Sequence, residues 1–146
     1  MNILSKFSEN LFSLMQENNL NAPALAKIIN TDRSNITRYL NAERLPSFNC
    51  FVKLIEHFNM SADVMLCIKD YSLENTFLPI KNFGERLRFV MQETHTTQYQ
   101  IEKQLKISGA SMYNWLFKEV LPSVENLVKL STFMGVSVDY LLGRIK

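Results

Sequence analysis

The feature that most constrains this chain is an internal repeat. When the sequence is shifted by 76 positions, residues 7–69 align with residues 83–145 without a gap, and 18 of the 63 aligned pairs are identical. Unrelated sequences of this length would share about four identities at ordinary residue frequencies. An alignment without gaps also requires equal loop lengths, so the sequence predicts one fold that occurs twice.

Each half is predicted to contain five short helices. Apolar residues recur at helical spacing, and no segment alternates apolar and polar residues as a half-buried strand would. Polar residues suited to helix N-caps precede predicted helices 2 to 5. In the first half these are Asn21, Asp32, Ser47 and Ser61, and in the second half they are Thr97, Ser108, Ser123 and Ser137. The predicted fold class is therefore all-α, with two tandem five-helix domains.

The repeat places domain boundaries at an N-terminal domain (1–69), a linker (70–81) and a C-terminal domain (82–146). A free linker is usually rich in Gly, Ser or charged residues. This segment instead contains the apolar or aromatic residues Tyr71, Leu73, Phe77, Leu78, Pro79 and Ile80. We therefore expect the linker to be docked and the two domains to pack together.

Charge excludes an indiscriminate polyanion binder. The first 76 residues carry seven Lys or Arg against eight Asp or Glu, and the remaining 70 carry nine against six, for a total of +2. Neither half is the strongly basic block that binds any nucleic acid. Any nucleic-acid function must therefore depend on where particular side chains lie.

Other features argue for a cytoplasmic protein without catalytic chemistry. No apolar stretch approaches the roughly 18–20 residues that span a bilayer, and the N-terminal residues lack the apolar core of a signal peptide. The two cysteines, Cys50 and Cys67, lack metal-ligand spacing and are predicted to be buried thiols. No triad, metal-site or phosphate-loop pattern is present, so we expect no enzyme activity, metal or cofactor.

Predicted helices 2 and 3 are separated by only three or four residues, which is typical of a helix-turn-helix unit. Both halves resemble the lambda-repressor/Cro-like family over about 63 residues each. In the first half the resemblance rests on Ala22, Ala26, Asn30, Asp32, Ile36, Tyr39, Leu45-Pro46-Ser47 and Ser61-Ala62-Asp63. In the second half it rests on Thr97-Gln98, Ile107-Ser108, Met112, Trp115, Leu121-Pro122-Ser123 and Val136 to Leu142.

The turn of this motif needs a small residue where the helices cross and a residue that tolerates left-handed φ. Ala26 and Asn30 meet these needs in the first half. The second half departs at both positions, with Glu102 and Lys106. We expect the fold to tolerate this change, with a different helix crossing.

The resemblance implies that helix 3 of the first domain enters the DNA major groove. The base-reading positions are then Arg33, Ser34, Thr37 and Arg38, which share one helix face. Contacts to the backbone or to flanking bases fall on Asn41 and Arg44, and on backbone N–H groups of Asn21 and Ala22. Arg is suited to guanine, while Ser and Thr are permissive. The alternative is that the arginines are ordinary solvated charges.

In the second domain the corresponding face is Gly109, Ala110, Tyr113 and Asn114, which contains a single good base reader. Aromatic and apolar residues replace the phosphate-facing ones, because Phe117 and Val120 match Asn41 and Arg44. We expect this domain to provide a dimer or partner surface instead. Its candidate residues are Tyr113, Trp115, Leu116, Phe117 and Val120. For Trp115, a role as a core aromatic residue remains open.

Together these features predict a sequence-specific regulator that binds double-stranded DNA. The resemblance favours a repressor of the kind found in prophages and mobile elements, acting as a homodimer joined through the C-terminal domain. A variant uses both domains of one chain as a pseudo-dimer. The alternative is a protein-binding inhibitor or antitoxin-like module, which the near-neutral charge and the apolar second surface favour.

Overall fold

A computed structural model describes residues 2–146, which form ten α-helices and no strand. The predicted all-α class is confirmed. Contacts divide the chain into two compact units, of which the first ends at Thr76 and the second comprises Phe77–Lys146. This division lies inside the segment that the sequence marks as a linker. None of the helices within residues 2–146 has both the length and the apolar character needed to cross a membrane.

Four of the five helices in each unit begin at matching places in the repeat. The first unit contains α1 (Ile3–Glu17), α2 (Ala22–Ile28), α3 (Arg33–Leu40), α4 (Phe48–His57) and α5 (Ala62–Met65). The second contains α6 (Phe83–Glu93), α7 (Gln98–Leu105), α8 (Gly109–Phe117), α9 (Val124–Met134) and α10 (Val138–Leu141). The starts of α7 to α10 each lie 76 residues after the starts of α2 to α5. Because α2, α3 and α4 each end one residue earlier in the repeat than α7, α8 and α9, the loops that follow them are one residue longer in the first unit.

The predicted N-caps occupy the expected positions, with one difference in detail. Side-chain oxygens of Asn21 and Ser47 accept bonds from the first turns of α2 and α4. Thr97 forms a reciprocal capping box with Gln100 at the start of α7. Asp32 has the extended backbone of an N-cap, but its side chain makes no capping hydrogen bond. Asp32 is therefore the N-cap residue of α3, as predicted, but its side chain does not contribute to the cap.

The first unit buries the apolar faces of its helices around α3. This helix packs against α1 and α2, and its residues Ile36 and Tyr39 point inward. The hydroxyl of Ser8 in α1 donates a hydrogen bond to the backbone carbonyl of Tyr39. The buried core also includes Phe7, Leu11, Leu25, Ile29, Phe51, Leu54 and Ile55. The opposite face of α3 is left exposed.

The second unit packs α8 against α6 at the equivalent place. A Cβ atom added to Gly84 of α6 would lie 2.8 Å from the backbone carbonyl oxygens of Trp115 and Leu116. Such a distance is shorter than real side-chain contacts, so the crossing requires glycine at this position. At the C-terminus of the unit, the Arg144 guanidinium pairs with Asp139 at 2.7 Å and lies against the Phe77 ring.

The turns that follow α2 and α7 each contain a left-handed residue at the same position of the repeat. Asn30 adopts left-handed φ of 55°, as the sequence predicts, and Lys106 adopts the same value. The turn therefore keeps its left-handed residue in the second unit although the side chain there is less suited to it.

Candidate functional site

The exposed face of α3 is the first candidate surface. Arg33, Ser34, Thr37 and Arg38 are all exposed, while Ile36 and Tyr39 are buried. The Thr37 hydroxyl donates to the Arg33 carbonyl oxygen at 3.2 Å, so this side chain lies along the helix. The structure thus brings the four predicted base-reading residues together on one solvent-facing surface.

Asn35 is a member of this surface that the sequence analysis missed. Its side-chain oxygen accepts hydrogen bonds from the guanidinium groups of both Arg44 and Arg38, the latter at 3.5 Å. Its amide nitrogen donates to the Thr31 hydroxyl at 2.8 Å. The separations of four residues between Thr31 and Asn35 and of three between Asn35 and Arg38 are visible in the sequence. The approach of Arg44 from the following loop is not.

The arginine side chains of this face carry unneutralised positive charge. Within residues 2–146, none of Arg33, Arg38 and Arg44 forms an ion pair with a carboxylate. All three are exposed. The surface therefore presents three guanidinium groups to solvent, in an arrangement suited to anionic partners.

Three further predicted contact residues lie at helix ends. Asn41 follows α3 as its exposed C-cap residue. The side chain of Asn21 is engaged as the N-cap of α2, where it accepts from the Ala24 backbone nitrogen at 2.9 Å. Ala22 is half-buried as the first residue of the same helix. Any contact by Asn21 and Ala22 would therefore use the backbone, as the sequence analysis expects.

Tyr39 supports this surface from below. Burial raises the pKa of its hydroxyl to about 12, and the neighbouring Cys50 thiol acts in the same direction, while the Arg44 guanidinium opposes both. The hydroxyl therefore lies close to Cys50 and to Arg44.

The prediction that both cysteines are buried thiols is wrong. Cys50 is half-buried and Cys67 is exposed.

At the start of α8, the face equivalent to the exposed face of α3 differs in side-chain size and charge. A Cβ atom added to Gly109 would lie 3.1 Å from a carboxylate oxygen of Glu102. These two residues align with Arg33 and Ala26 of the first unit. The flexible Glu102 carboxylate therefore lies close to Gly109, at the position that carries the Arg33 side chain in the first unit. A carboxylate now lies where the first unit carries Arg33, and it would repel a phosphate backbone.

The polar arrangement around Asn35 has no counterpart in the second unit. Thr31, Asn35, Arg38 and Arg44 align with Ile107, Ser111, Asn114 and Val120. The Ser111 hydroxyl accepts from the Ser108 hydroxyl at 3.0 Å, within the first turn of α8. No guanidinium group aligns with Arg38 or Arg44, so this face lacks the cationic cluster of the first unit.

Two of the five candidate partner residues belong to the core. Trp115 and Leu116 are only 5% and 4% exposed, so the expectation that they form a partner surface is wrong. Both lie on the side of α8 that packs closely against α6. For Trp115 the alternative left open by the sequence, a core aromatic residue, is the correct one.

The remaining three candidates are exposed apolar side chains. Tyr113, Phe117 and Val120 are 48%, 55% and 47% exposed. The rings of Tyr113 and Phe117 are 5.3 Å apart. Arg88 lies over the Phe117 ring and Lys118 over the Tyr113 ring, at 5.3 and 5.8 Å. We refer to Tyr113, Phe117 and Val120 as the aromatic surface.

Comparison with known proteins finds no family model, no curated protein and no solved structure that matches this chain.

Proposed function

We propose that each unit is a lambda-repressor/Cro-like helix-turn-helix domain, so that the chain carries two tandem domains of five helices. Matching helix starts, the short turns and the left-handed residues Asn30 and Lys106 support this proposal. Ala26 supports it further, because a small buried residue lets α2 approach α3 closely.

The first unit binds double-stranded DNA in this proposal, with α3 in the major groove. The observation that carries it is the exposed face of α3, where Arg33, Ser34, Thr37 and Arg38 lie beside Arg44 and no carboxylate among residues 2–146 pairs with these arginines. Arg, Ser and Thr supply donors that match base edges and phosphates. The protein would then regulate transcription, as a cytoplasmic repressor in the most direct version of the proposal.

The second unit does not read DNA in this proposal. At the start of α8, Gly109 takes the place of Arg33 and the Glu102 carboxylate lies beside it, while the aromatic surface replaces the phosphate-facing side chains. The aromatic surface instead joins two chains into a homodimer, because exposed aromatic side chains often anchor interfaces. The dimer would present two α3 helices to half-sites about one helical turn apart.

The test is selection of bound DNA fragments by the purified protein, followed by titration of the selected sequence. Arg33→Ala should weaken binding by roughly 1–3 kcal/mol and relax preference at one base pair. Lys53→Ala is the matched control, because Lys53 is an exposed cation of the same unit on α4. Equal binding of wild type and Arg33→Ala to the selected sequence would overturn the base-reading role.

A second candidate function is binding of another protein, which the aromatic surface favours. Salt dependence separates the two candidates, because neutralising several phosphates makes DNA affinity fall steeply as salt rises. Absence of DNA binding at low salt, with a protein partner that co-purifies and is lost in Phe117→Ser, would favour this second candidate.

A further inference from the structure

We propose that Arg38, Asn35 and Arg44 form a binding site for a single phosphate group. Within the proposed function this group is a phosphodiester of the DNA backbone, and in solution it can be inorganic phosphate. We call these three residues the phosphate site. The inference rests on the proposed function only for the identity of the natural ligand.

Two guanidinium groups converge on the neutral side-chain oxygen of Asn35. Nitrogens of Arg38 and Arg44 both donate to the side-chain oxygen of Asn35. Like charges held this close repel each other, and no carboxylate within residues 2–146 neutralises either one. An amide oxygen is a weaker acceptor than an anionic oxygen. A phosphate group would relieve the repulsion and accept the remaining guanidinium donors.

The second argument is that the site is organised before any ligand binds. Thr31 accepts a hydrogen bond from the Asn35 amide at 2.8 Å, which fixes the orientation of the side-chain oxygen. Arg44 also lies close enough to the Tyr39 hydroxyl to oppose its raised pKa. A site held in place in this way loses less conformational freedom on binding.

The third argument comes from the repeat within the same chain. Thr31, Asn35, Arg38 and Arg44 are all replaced in the second unit, by Ile107, Ser111, Asn114 and Val120. The helix starts at α3 and α8 still match. The four residues are therefore not required to form the turn and its two helices, which leaves them free to serve a ligand.

The arginines of the first unit then have two different roles, contact with base edges and contact with the DNA backbone. Arg33 makes no hydrogen bond to Asn35 and stays available for base edges. Arg38, which the sequence places among the base readers, is assigned to the backbone together with Arg44. Asn35 is a positioning residue, since it acts through the two guanidinium groups.

The direct experiment titrates the full chain with inorganic phosphate while NMR follows the arginine side-chain Nε–H signals. Chloride at matched ionic strength provides the reference. We expect saturable shifts at Arg38 and Arg44 and none at Arg33. Equal responses to phosphate and chloride, or a response at Arg33 as large as at the other two, would overturn the proposal.

Asn35→Asp tests the site by placing a carboxylate between the two cations. We expect the phosphate response of Arg38 and Arg44 to disappear, because the new ion pairs occupy the same donors. Asn49→Asp is the matched control, as Asn49 is an exposed residue of α4 in the same unit, and it should respond as wild type does. Asn35→Ser, which introduces the residue of the second unit, should weaken the response without adding charge.

The DNA measurement separates this inference from the proposed function. If the protein binds DNA, Asn35→Asp should lower affinity about tenfold or more for all sequences and reduce the slope of log affinity against log salt by about one. Unchanged slope and affinity, with normal wild-type DNA binding, would overturn the phosphate site alone. If the wild-type protein binds no DNA but still shows the phosphate response, the proposed function alone is overturned.

Discussion

Asn30 and Lys106 adopt the same left-handed φ, although Lys favours this conformation less than Asn does. Both adopt φ of 55° at the turn between the two helices of their motif. Asn tolerates this conformation because its short polar side chain can bond locally, whereas Lys accepts a larger steric cost. The turn geometry is set by the helices on either side, so the residue at this position adapts to it.

The buried hydroxyl of Tyr39 should make the stability of the protein depend on pH. Because the pKa of its hydroxyl is raised to about 12 in the folded protein, the unfolded chain releases this proton first, near its ordinary pKa of about 10. The folded state then holds more protons, so stability should fall as pH rises from about 10 to 12. Urea unfolding of wild type and Tyr39→Phe across pH 9 to 12 measures this, and the variant should lack that part of the decline.

The control for Tyr39 is Tyr71→Phe, because Tyr71 is highly exposed and its removal should leave the pH dependence of wild type. Parallel stability curves for wild type and Tyr39→Phe would show that the hydroxyl ionises equally in both states.

At the scale of elements, α8 differs from α3 through paired replacements. Glu102 takes the place of a small residue at the helix crossing, and its flexible carboxylate lies beside Gly109, which takes the place of Arg33. On the other side of α8, Gly84 aligns with Ser8, whose hydroxyl bonds the Tyr39 carbonyl in the first unit. Glycine lets the backbones of α6 and α8 approach each other more closely than a side chain would permit.

Gly84→Ala should therefore destabilise the second unit. The new methyl group would lie 2.8 Å from two carbonyl oxygens of α8, and the backbone has little freedom to move away. Overpacking of this kind costs about 1–3 kcal/mol. Denaturant unfolding followed by the fluorescence of Trp115, the one tryptophan, measures the change.

Gly109→Ala is the matched control for Gly84→Ala, since it adds the same group at the start of a helix in the same unit. Its new methyl group would meet a flexible carboxylate of Glu102 at 3.1 Å, which can rotate away. A change within about 0.5 kcal/mol is expected. Equal destabilisation by the two substitutions would contradict the close backbone crossing.

At the scale of the whole molecule, the two units carry surfaces of different chemistry. The first unit presents unneutralised guanidinium groups on α3, and the second presents the aromatic surface. In the proposed homodimer, each chain binds DNA through α3 and contacts the other chain through the aromatic surface.

Phe117→Ser tests the dimer that we propose. Removing an exposed aromatic anchor should raise the dimer dissociation constant about tenfold or more in sedimentation equilibrium. Phe12→Ser is the control, because Phe12 of the first unit is also 55% exposed. A wild-type monomer with an asymmetric footprint on DNA would instead favour the pseudo-dimer arrangement.

The sequence by itself determined the elements of this protein. Helix positions, N-caps and the left-handed turn at Asn30 follow from local spacing and backbone preference, and the gapless repeat carries them into the second half. The exposed face of α3 was predictable for the same reason, because a helix of known register has a known buried side.

Only the tertiary structure decided which side chains meet across loops and helix crossings. The approach of Arg44 to Asn35 joins residues nine positions apart on different elements, and no periodicity encodes it. Burial of Trp115 and Leu116 depends on how closely α6 approaches α8, which Gly84 permits and their own residue types do not reveal. Local sequence sets the conformation of each segment, whereas contact between segments depends on the volumes that they fill together.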